Sequence, residues 1–534
     1  MSEKFVVVVA DKLSESGLRT LTEDDRFEVL LTNGWEPDEM REAMSKAHAL
    51  IVRSATKVNR EVLSGAPNLR IVGRAGVGVD NIDLGVATEY GIPVINAPEG
   101  NTVSAAELAM ALIFAVARKV AEADASVRRG EWTRSLFGGM ELRGKTLGLV
   151  GAGRIGAEVA LRAQAFGMRT IAHDPYLSEE RAEEFGVERV SLPTVLAQAD
   201  VVSLHVPLTP STEGMIGASE LRAMKPRAIL INAARGEVVD EAALVQALES
   251  GEIAGAALDV YSTEPLPDGS PLRRAPNLVL TPHLGASTRE AQELVAAEIA
   301  EGVRAALLEG DLSQALNAPA IGGDDLKYVR TLFDLAGKMG HVCGVLGQGG
   351  MRRVEISVAG VEEEILRPLS AAAMTGLLTP VVGARNVNYV NALHVAETRD
   401  IEISAVAFPP RPDYSQYLEL SLETDKQTTC IAGALLGDQL HPRIVLMDGY
   451  RLSVRPEGCL IVLRNKDVPG VIGKVGTLLA AHDVNIAEYR QARKTEGGPA
   501  LAAISVDQRV GFDLLTALRE LDEIIEACAV RFDG

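Results

Sequence analysis

The chain has 534 residues, of which 47% are hydrophobic and 24% charged, and its formal net charge is −20 at pH 7. This composition is typical of a soluble globular protein, and the length predicts three or four domains. The negative charge argues against nucleic acids and anionic membranes as partners, because both would repel the chain. The four cysteines form no C-x-x-C pair, so neither a metal site nor a disulfide framework is predicted.

No targeting or membrane segment is predicted. The chain begins with a polar Met-Ser-Glu-Lys and continues directly into a strand, without the pattern of a signal peptide. The longest apolar helical stretch, around 108–117, is too short to cross a bilayer. We therefore expect a cytoplasmic protein in a reducing compartment.

The first hundred residues alternate short apolar runs with helical patterns. The runs at 5–10, 49–52, 70–73 and 93–96 are typical of buried strands. Continuous apolar strands separated by helices indicate a parallel sheet covered on both faces. Because residues 286–310 are again helical, we expect that helix to pack back on this sheet. The first predicted domain comprises residues 1–100 and 286–318.

A long, nearly uncharged helix is predicted from about Val103 to Arg118. A helix that is apolar nearly all round must be buried, so we expect it to lie between two domains. A second alternation of strands and helices then runs to about Gly285, which gives a second doubly wound α/β domain over residues 101–285.

The small residues at 317–323 indicate a linker. Residues 319–453 beyond it are predicted to form a mixed α/β domain, in which no chemistry is recognisable. The last domain, residues 454–534, has the strand-helix-strand-strand-helix-strand order of ferredoxin-like modules.

The motif G-x-G-x-x-G occupies residues 151–156, directly after a strand and at the start of a helix. Its glycines allow a tight turn, close approach of a pyrophosphate and close packing of helix on strand. Asp174 lies at the end of the next strand, about 20 residues further on, where it would bind the ribose hydroxyls. Because its charge repels a 2′-phosphate, the pattern predicts NAD rather than NADP. The alternative is a glycine-rich turn of another α/β protein, with a solvated Asp174.

Three polar segments, at 232–236, 259–265 and 281–288, each follow an apolar strand. They should therefore meet at the carboxyl edge of the parallel sheet, where ligands bind. His283 is a candidate base for a substrate hydroxyl, because imidazole titrates near neutral pH, and Glu264 would orient it and stabilise its protonated form. Arg235 offers a planar, two-pronged donor for a carboxylate. Together they indicate hydride transfer on a small anionic 2-hydroxy acid, although each alone could be an ordinary surface residue.

These segments resemble the D-isomer-specific 2-hydroxyacid dehydrogenases, from about residue 5 to 318. The resemblance implies a flavodoxin-like substrate domain and a Rossmann NAD domain, with Arg235, Glu264 and His283 as the catalytic set. It implies that NAD is bound by Gly151, Gly153, Arg154, Ile155, Gly156, Asp174, Pro207, Thr212, Ala233, Asp259 and Gly285. The last two domains resemble the intervening and ACT regulatory domains of long-form members. This further resemblance implies D-3-phosphoglycerate as the substrate, in the first step of L-serine biosynthesis.

The loops at 53–56 and 73–80 follow strands of the first domain and could bind an anion opposite the cofactor. In the family, an arginine like Arg53 serves the phosphate, and the glycines of the second loop approach the carboxylate. The resemblance implies substrate contacts from Arg53, Ser54, Arg74, Gly76, Asn101 and Arg134. Arg134 lies in a segment similar to one that reaches across a dimer into the partner's site. The arginines could instead be ordinary surface charge.

Residues 465–472 and 482–486 look like the two signature segments of ACT domains. The resemblance implies L-serine as an effector, held by Asn465, Asp467 and Asn485 at an interface between chains. It also implies a homo-oligomer, with dimers formed through the NAD domains and a homotetramer through the C-terminal domains. The alternative is a purely structural dimerisation domain.

Two other functions stay open. One is a related dehydrogenase that acts on glycerate or 2-hydroxyglutarate, and the other is a regulatory protein that keeps NAD as a ligand. The long C-terminal extension argues against the first, because simple catabolic members usually end near residue 320. The intact set of Arg235, Glu264 and His283 argues against the second, because a sensor needs no acid/base.

Overall fold

A computed structural model describes residues 4–32, 37–319, 326–410, 413–414, 416–437 and 440–532. Within these residues the strands form four sheets of five, seven, six and four strands, which follow one another along the chain.

The first sheet is built from the apolar runs near the start of the chain. Its strands are β1 Phe5–Val9, β2 Phe27–Leu31, β3 Ala49–Val52, β4 Ile71–Arg74 and β5 Val94–Asn96. Its helices are α1 Arg19–Thr22, α2 Pro37–Lys46, α3 Arg60–Ser64 and α4 Leu84–Glu89. All strands are parallel in the order β2-β1-β3-β4-β5, which is the flavodoxin-like order. The loops that follow β3 and β4 therefore lie at the same edge of the sheet.

The second sheet is also parallel throughout. Its strands are β6 Thr146–Val150, β7 Arg169–His173, β8 Glu188–Arg189, β9 Val201–Leu204, β10 Ile229–Asn232, β11 Gly255–Leu258 and β12 Leu278–Leu280. The helices of this stretch are α5 Thr102–Ala117, α6 Val120–Arg128, α7 Arg154–Ala165, α8 Glu179–Glu184, α9 Leu192–Gln198, α10 Ala218–Ala223 and α11 Glu241–Ser250. The strand order β12-β11-β10-β9-β6-β7-β8 is that of a Rossmann fold. The order reverses between β6 and β9, and ligands bind outside the strand ends at such a switch point.

Helix α5 packs on the second sheet, where Ala109, Met110 and Ile113 lie in the core. The expectation that it is buried all round is wrong for one stripe, since Val103 and Glu107 are exposed. Because Val103 is apolar, the sequence pattern of this exposed stripe is that of a buried face.

Helix α12, Arg289–Glu309, returns to the first sheet. Its residues Val295, Ile299 and Val303 are buried in one cluster with Val7 and Ile71. The first unit is thus assembled from two separate stretches of the chain.

The chain leaves this unit at Asn317, within the predicted linker. The Asn317 side chain donates to the Ile92 carbonyl at 2.9 Å and accepts from the Val94 amide at 2.8 Å. Asn317 is therefore anchored to the first unit, whereas residues 320–323 of the predicted linker lie outside the described residues.

The third sheet is mixed. Its elements are α13 Leu326–Leu346, β13 Met351–Ala359, α14 Leu366–Val382, α15 Ala392–Glu397, β14 Glu402–Phe408, β15 Tyr417–Thr424, β16 Thr428–Leu436, β17 His441–Met447 and β18 Tyr450–Val454. The strand order is β14-β13-β15-β16-β17-β18, and β13 pairs with β14 in parallel. The unit docks on the first one through Asn388, whose side chain donates to the Gly91 carbonyl at 2.7 Å.

One helix of this unit differs from the sequence prediction of the longest apolar stretch. Residues Glu363–Val382 form a stretch that is long and apolar enough to cross a membrane by length and composition, and half of it is buried. The expectation that the longest apolar stretch lies around 108–117 is therefore wrong. Leu369, Met374 and Leu377 belong to the core of the third unit, so the apolar character of this helix serves packing.

The last unit is a small antiparallel sheet with two helices. Its elements are β19 Cys459–Lys466, α16 Val471–Ala481, β20 Ile486–Arg493, β21 Pro499–Val506, α17 Phe512–Arg519 and β22 Ile524–Arg531. The order β20-β21-β19-β22 places the first strand in the interior, as in ferredoxin-like modules. Within the described residues, the predicted element order is confirmed.

Candidate active site

The glycine-rich turn follows β6 at the switch point of the second sheet. Gly151 has a φ of 92°, and a Cβ there would lie 2.5 Å from the His205 carbonyl oxygen. At Gly153, in contrast, no atom of the described residues lies within 4 Å of the place of a Cβ. Gly151 is thus required by the fold, whereas Gly153 leaves open space for a ligand above the turn.

Helix α7 begins at Arg154, and its N-cap Gly153 has no side chain to cap it. The amides of the first turn, including those of Arg154 and Ile155, have no acceptor inside the helix. Gly156 packs so closely on the Gly151 carbonyl that a Cβ would overlap with it. This open turn with free amides fits the pyrophosphate of a dinucleotide.

Asp174 lies directly after β7 and is tied to the same turn. Its Oδ2 accepts from the Ala152 amide at 2.9 Å, and its Oδ1 accepts from the Tyr176 amide at 2.9 Å. The carboxylate is therefore held at the glycine-rich turn, where adenosine ribose hydroxyls would meet it.

His283 and Glu264 form a hydrogen-bonded pair after β12 and β11. Nδ1 of His283 lies 2.7 Å from Oε2 of Glu264, and Oε1 of Glu264 accepts from the Tyr261 amide at 3.1 Å. An ionised carboxylate only accepts, so Nδ1 carries the proton and Nε2 of the neutral ring is the acceptor. The His283 side chain is 47% exposed, which leaves this ring accessible to a substrate.

Asp259, predicted to contact NAD, is fully buried and organises the loop that carries His283. Its Oδ1 accepts from the Thr281 hydroxyl at 2.7 Å and from the Leu284 amide at 2.8 Å, and its Oδ2 accepts from the Gly285 amide at 3.0 Å. Burial raises the pKa of Asp259, although these hydrogen bonds favour the charged form. The buried carboxylate therefore holds the loop that carries His283 in place through three hydrogen bonds.

Arg235 follows β10 in a loop closed by Asn232. The Asn232 amide group donates to the Arg235 carbonyl at 2.8 Å and accepts from the Ala234 amide at 3.1 Å. A Cβ at Gly236 would overlap with the Tyr261 backbone, so this loop lies against the segment that carries Glu264. Nε of Arg235 donates to Oδ2 of Asp80 at 3.0 Å.

Arg74 lies at the end of β4, in the first domain. Burial, followed by the charge of Arg235 and then that of Arg53, lowers the pKa of Arg74 to about 10, although Asp80 opposes this effect. Its Nε is buried and has no hydrogen-bond partner within the described residues. A Cβ at Gly76 would overlap with the guanidinium. The structure thus gathers three arginines, which fits an anion-binding site.

Asp11, which sequence reasoning missed, holds the loop after β3. It accepts from the Arg53 amide at 2.6 Å and from the Thr56 hydroxyl at 2.8 Å. Ser54, between them, is exposed. The sequence signal that could have identified Asp11 is an acidic residue shortly after the end of an apolar strand.

The remaining predicted contacts lie at different places. The Asn101 Oδ1 atom at the start of α5 is buried without a partner in the described part of the chain. Thr212 donates to the Pro207 carbonyl at 2.6 Å, and Ala233 is half-buried after β10. Arg134 is exposed and lies in a short turn, between the exposed side chains of Trp132 and Leu136.

The three predicted effector residues lie in the last unit. Asn465 is buried, and its Oδ1 has no hydrogen-bond partner among the described residues. Asp467 accepts from Nη1 of Arg493 at 2.9 Å, and Asn485 donates to Oδ2 of Asp507 at 2.6 Å. Among these three residues, only Asn465 has a buried polar atom without a partner in the described part of the chain.

The open dinucleotide turn, the His283–Glu264 pair and the arginine cluster define an NAD-dependent dehydrogenase of the 2-hydroxyacid class. The model of the D-isomer specific 2-hydroxyacid dehydrogenase NAD-binding domain matches residues 110–285. The D-3-phosphoglycerate dehydrogenase intervening domain matches residues 328–448, and the ACT domain matches residues 460–523.

Among relatives, the D-3-phosphoglycerate dehydrogenase of Archaeoglobus fulgidus is 41% identical over 98% of this chain and 99% of its own length. The crystal structure of the TT0316 protein from Thermus thermophilus is 41% identical, with a TM-score of 0.54, over 58% of this chain and 100% of that chain. The D-lactate dehydrogenase of Aquifex aeolicus, complexed with NAD and lactic acid, is 30% identical, with a TM-score of 0.51, over 58% of this chain and 97% of that chain. The chain belongs to the D-3-phosphoglycerate dehydrogenase family, and the predicted fold class and NAD cofactor are confirmed.

Proposed function

We propose that the chain catalyses the NAD-dependent oxidation of D-3-phosphoglycerate to 3-phosphohydroxypyruvate, the first step of L-serine biosynthesis. The observation that supports this function best is the placement of three arginines close together in a chain with a net charge of −20. Arg53 and Arg74 lie at the ends of the paired strands β3 and β4, and Nη2 of Arg235 lies against Gly78 in the loop after β4. A substrate with both a carboxylate and a phosphate needs more than one cation, and arginine matches both groups in geometry.

In this proposal, each catalytic residue has a separate role. The glycine-rich turn at 151–156 and Asp174 would hold NAD, which would supply the hydride acceptor for the oxidation of the hydroxyl-bearing carbon. Nε2 of His283 takes the hydroxyl proton, because Nδ1 is held by Glu264, whose charge stabilises the imidazolium that forms. Arg235 binds the carboxylate and orients the reacting carbon. In the reverse reaction, His283 returns the proton to the carbonyl oxygen.

The experiment that tests this proposal is NADH consumption with 3-phosphohydroxypyruvate, hydroxypyruvate and 2-oxoglutarate side by side. We expect kcat/KM to be about 10²-fold higher for the phosphorylated substrate than for hydroxypyruvate, because charge-assisted hydrogen bonds contribute about 1.5–3 kcal/mol each. A preference for either other substrate would favour the alternative dehydrogenases. NADH binding without any turnover would favour the regulatory protein.

The cofactor preference is assigned to Asp174. Replacing Asp174 with alanine should reduce the preference for NADH over NADPH in kcat/KM by about tenfold or more, because the charge that opposes the 2′-phosphate is removed. Activity with NADH should also fall, because the Ala152 amide loses its acceptor. Asp268→Ala, which removes an exposed carboxylate from the same domain, is the matched control. A wild-type enzyme that prefers NADPH would contradict the assignment.

The proposal includes a homotetramer in the cytoplasm, with dimers formed through the NAD domains. Trp132 and Leu136 are 80% and 65% exposed beside Arg134, which supports a contact with a second chain there. Arg134 would then serve the partner's site. All four cysteines are free thiols, which fits a reducing compartment.

L-Serine is the proposed effector of the last domain. The Asn465 Oδ1 atom, which has no partner among the described residues, would accept a hydrogen bond from the ligand ammonium, and Asp467 and Asn485 would complete the site across an interface between chains. Effectors typically change affinity about 5–150-fold, so L-serine should inhibit measurably. The test titrates L-serine against wild type and Asn485→Ala in the same assay. Inhibition that persists unchanged in the variant would place the effector elsewhere, and no inhibition in wild type would leave assembly as the role.

A further inference from the structure

An ion pair joins the first and second domains where the loops after β4 and β10 face each other, which we call the cleft. Asp80 lies in the loop after β4, in the first domain, and Arg235 lies after β10, in the second. These residues are 155 positions apart in the sequence, and Oδ2 of Asp80 lies 3.0 Å from Nε of Arg235. The side chain of Arg235 is 25% exposed, whereas that of Asp80 is 60% exposed. The carboxylate therefore approaches a half-buried guanidinium from the solvent side.

The hydrogen bonds of Arg235 determine which edge of its guanidinium remains free to bind a carboxylate. Nε is occupied by Asp80, and Nη1 donates to the Ala234 carbonyl at 2.7 Å. A Cβ at Gly78 would overlap with Nη2, so this nitrogen lies against Gly78 of the first-domain loop. A guanidinium can bind a carboxylate through Nε and Nη2 or through Nη1 and Nη2. With Nε taken, the Nη1–Nη2 edge remains, because the bond to the Ala234 carbonyl uses only one of the two Nη1 hydrogens.

Asp80 also affects the neighbouring guanidinium of Arg74. Arg74 is repelled by Arg235 and attracted by Asp80. The carboxylate thus offsets the mutual repulsion of two arginines that lie on opposite domains, and it favours their approach across the cleft.

We propose that Asp80 is a positioning residue that fixes the rotation of the Arg235 guanidinium, so that its Nη1–Nη2 edge faces the substrate carboxylate. This inference rests on the proposed function, because it takes Arg235 as the carboxylate-binding group. Asp80 itself does not contact the substrate. Its effect is on the orientation of the reacting carbon, which bears on kcat more than on substrate affinity.

The test compares Asp80→Ala, Asp80→Asn and wild type with saturating NADH. We expect Asp80→Ala to lower kcat by about tenfold or more, since a hydrogen bond between charged groups is lost. KM for the substrate should not rise, because a negative charge is removed from beside an anion. Asp80→Asn should recover part of kcat, because its amide oxygen still accepts from Nε. Asp268→Ala is the charge-matched control.

Each variant is assayed with 3-phosphohydroxypyruvate and hydroxypyruvate, which share the carboxylate and differ in the phosphate. Equal fold losses in kcat on both substrates support the proposal, whereas a loss confined to the phosphorylated one would overturn it. An unchanged kcat, or a parallel rise in KM for NADH that signals general damage, would also overturn it. Because the comparison is between variants, it gives an answer whichever substrate the wild type prefers, so failure of the proposed function is recognised separately.

Discussion

Replacement of His283 with alanine is expected to lower kcat by about 10²–10⁴-fold, the usual size of a general acid–base contribution. The ring is the acceptor for the substrate proton at Nε2, and alanine offers no substitute. NADH should bind as it does to wild type, because the glycine-rich turn and Asp174 lie on other strand ends. The measurements are steady-state kcat with 3-phosphohydroxypyruvate and NADH binding by fluorescence.

His441→Ala is a suitable control for this variant, because it removes an exposed imidazole at the start of β17, in the third unit. Glu264→Gln tests the pair from the other side. It keeps the shape but removes the charge that stabilises the imidazolium, so a smaller loss than in His283→Ala is expected. Near-normal kcat in His283→Ala would remove His283 from the mechanism.

Much of the α/β fold could be predicted because its interior strands are buried on both faces. The strand at 49–52 is a continuous apolar run, and the strand at 71–74 is buried over its first three residues, which is the pattern of strands covered on both faces. The edge strand Phe27–Leu31 was not predicted; Glu28 interrupts its apolar residues, of which only Phe27 is buried. The edge strand Glu188–Arg189 has two exposed residues and carries no apolar signal at all.

Helices were harder to place than strands, because an apolar helix has the same composition in different surroundings. Helix α5 has an exposed stripe that includes Val103, so apolar residues alone overstate its burial. The stretch Glu363–Val382 contains Pro380 near its end and passes as membrane-spanning by composition, yet it packs in a core. Only the neighbouring helix α13 and the third sheet decide which environment applies.

The candidate site likewise has residues that could be predicted from the sequence and residues that could not. His283, Glu264 and Arg235 could be predicted because each follows an apolar strand, and strand ends of a parallel sheet meet. The residues that hold them could not be. Asp80 reaches Arg235 across 155 residues, and nothing in the local pattern distinguishes its carboxylate from other surface acids. The NAD contact of Asp259 stays a prediction, and its bonds to the loop of His283 could not be predicted from the sequence.

The second large effect is expected from Arg235→Lys, which keeps the charge and removes the planar fork. Lysine cannot reproduce both the bond from Nε to Asp80 and the bond from Nη1 to the Ala234 carbonyl.

Hydrogen bonds between charged groups contribute about 1.5–3 kcal/mol each, and the lysine loses the two-pronged contact with the substrate carboxylate, so kcat/KM should fall by about 10²-fold or more in Arg235→Lys. KM for NADH should stay close to that of wild type. The matched control is Arg273→Lys, a partly exposed arginine of the same domain whose guanidinium donates to the carbonyls of Pro267 and Leu266. The readout is kcat/KM for 3-phosphohydroxypyruvate and hydroxypyruvate. If the lysine variant keeps kcat/KM within a few-fold of wild type, positive charge alone suffices, and bidentate binding of the carboxylate by Arg235 is wrong.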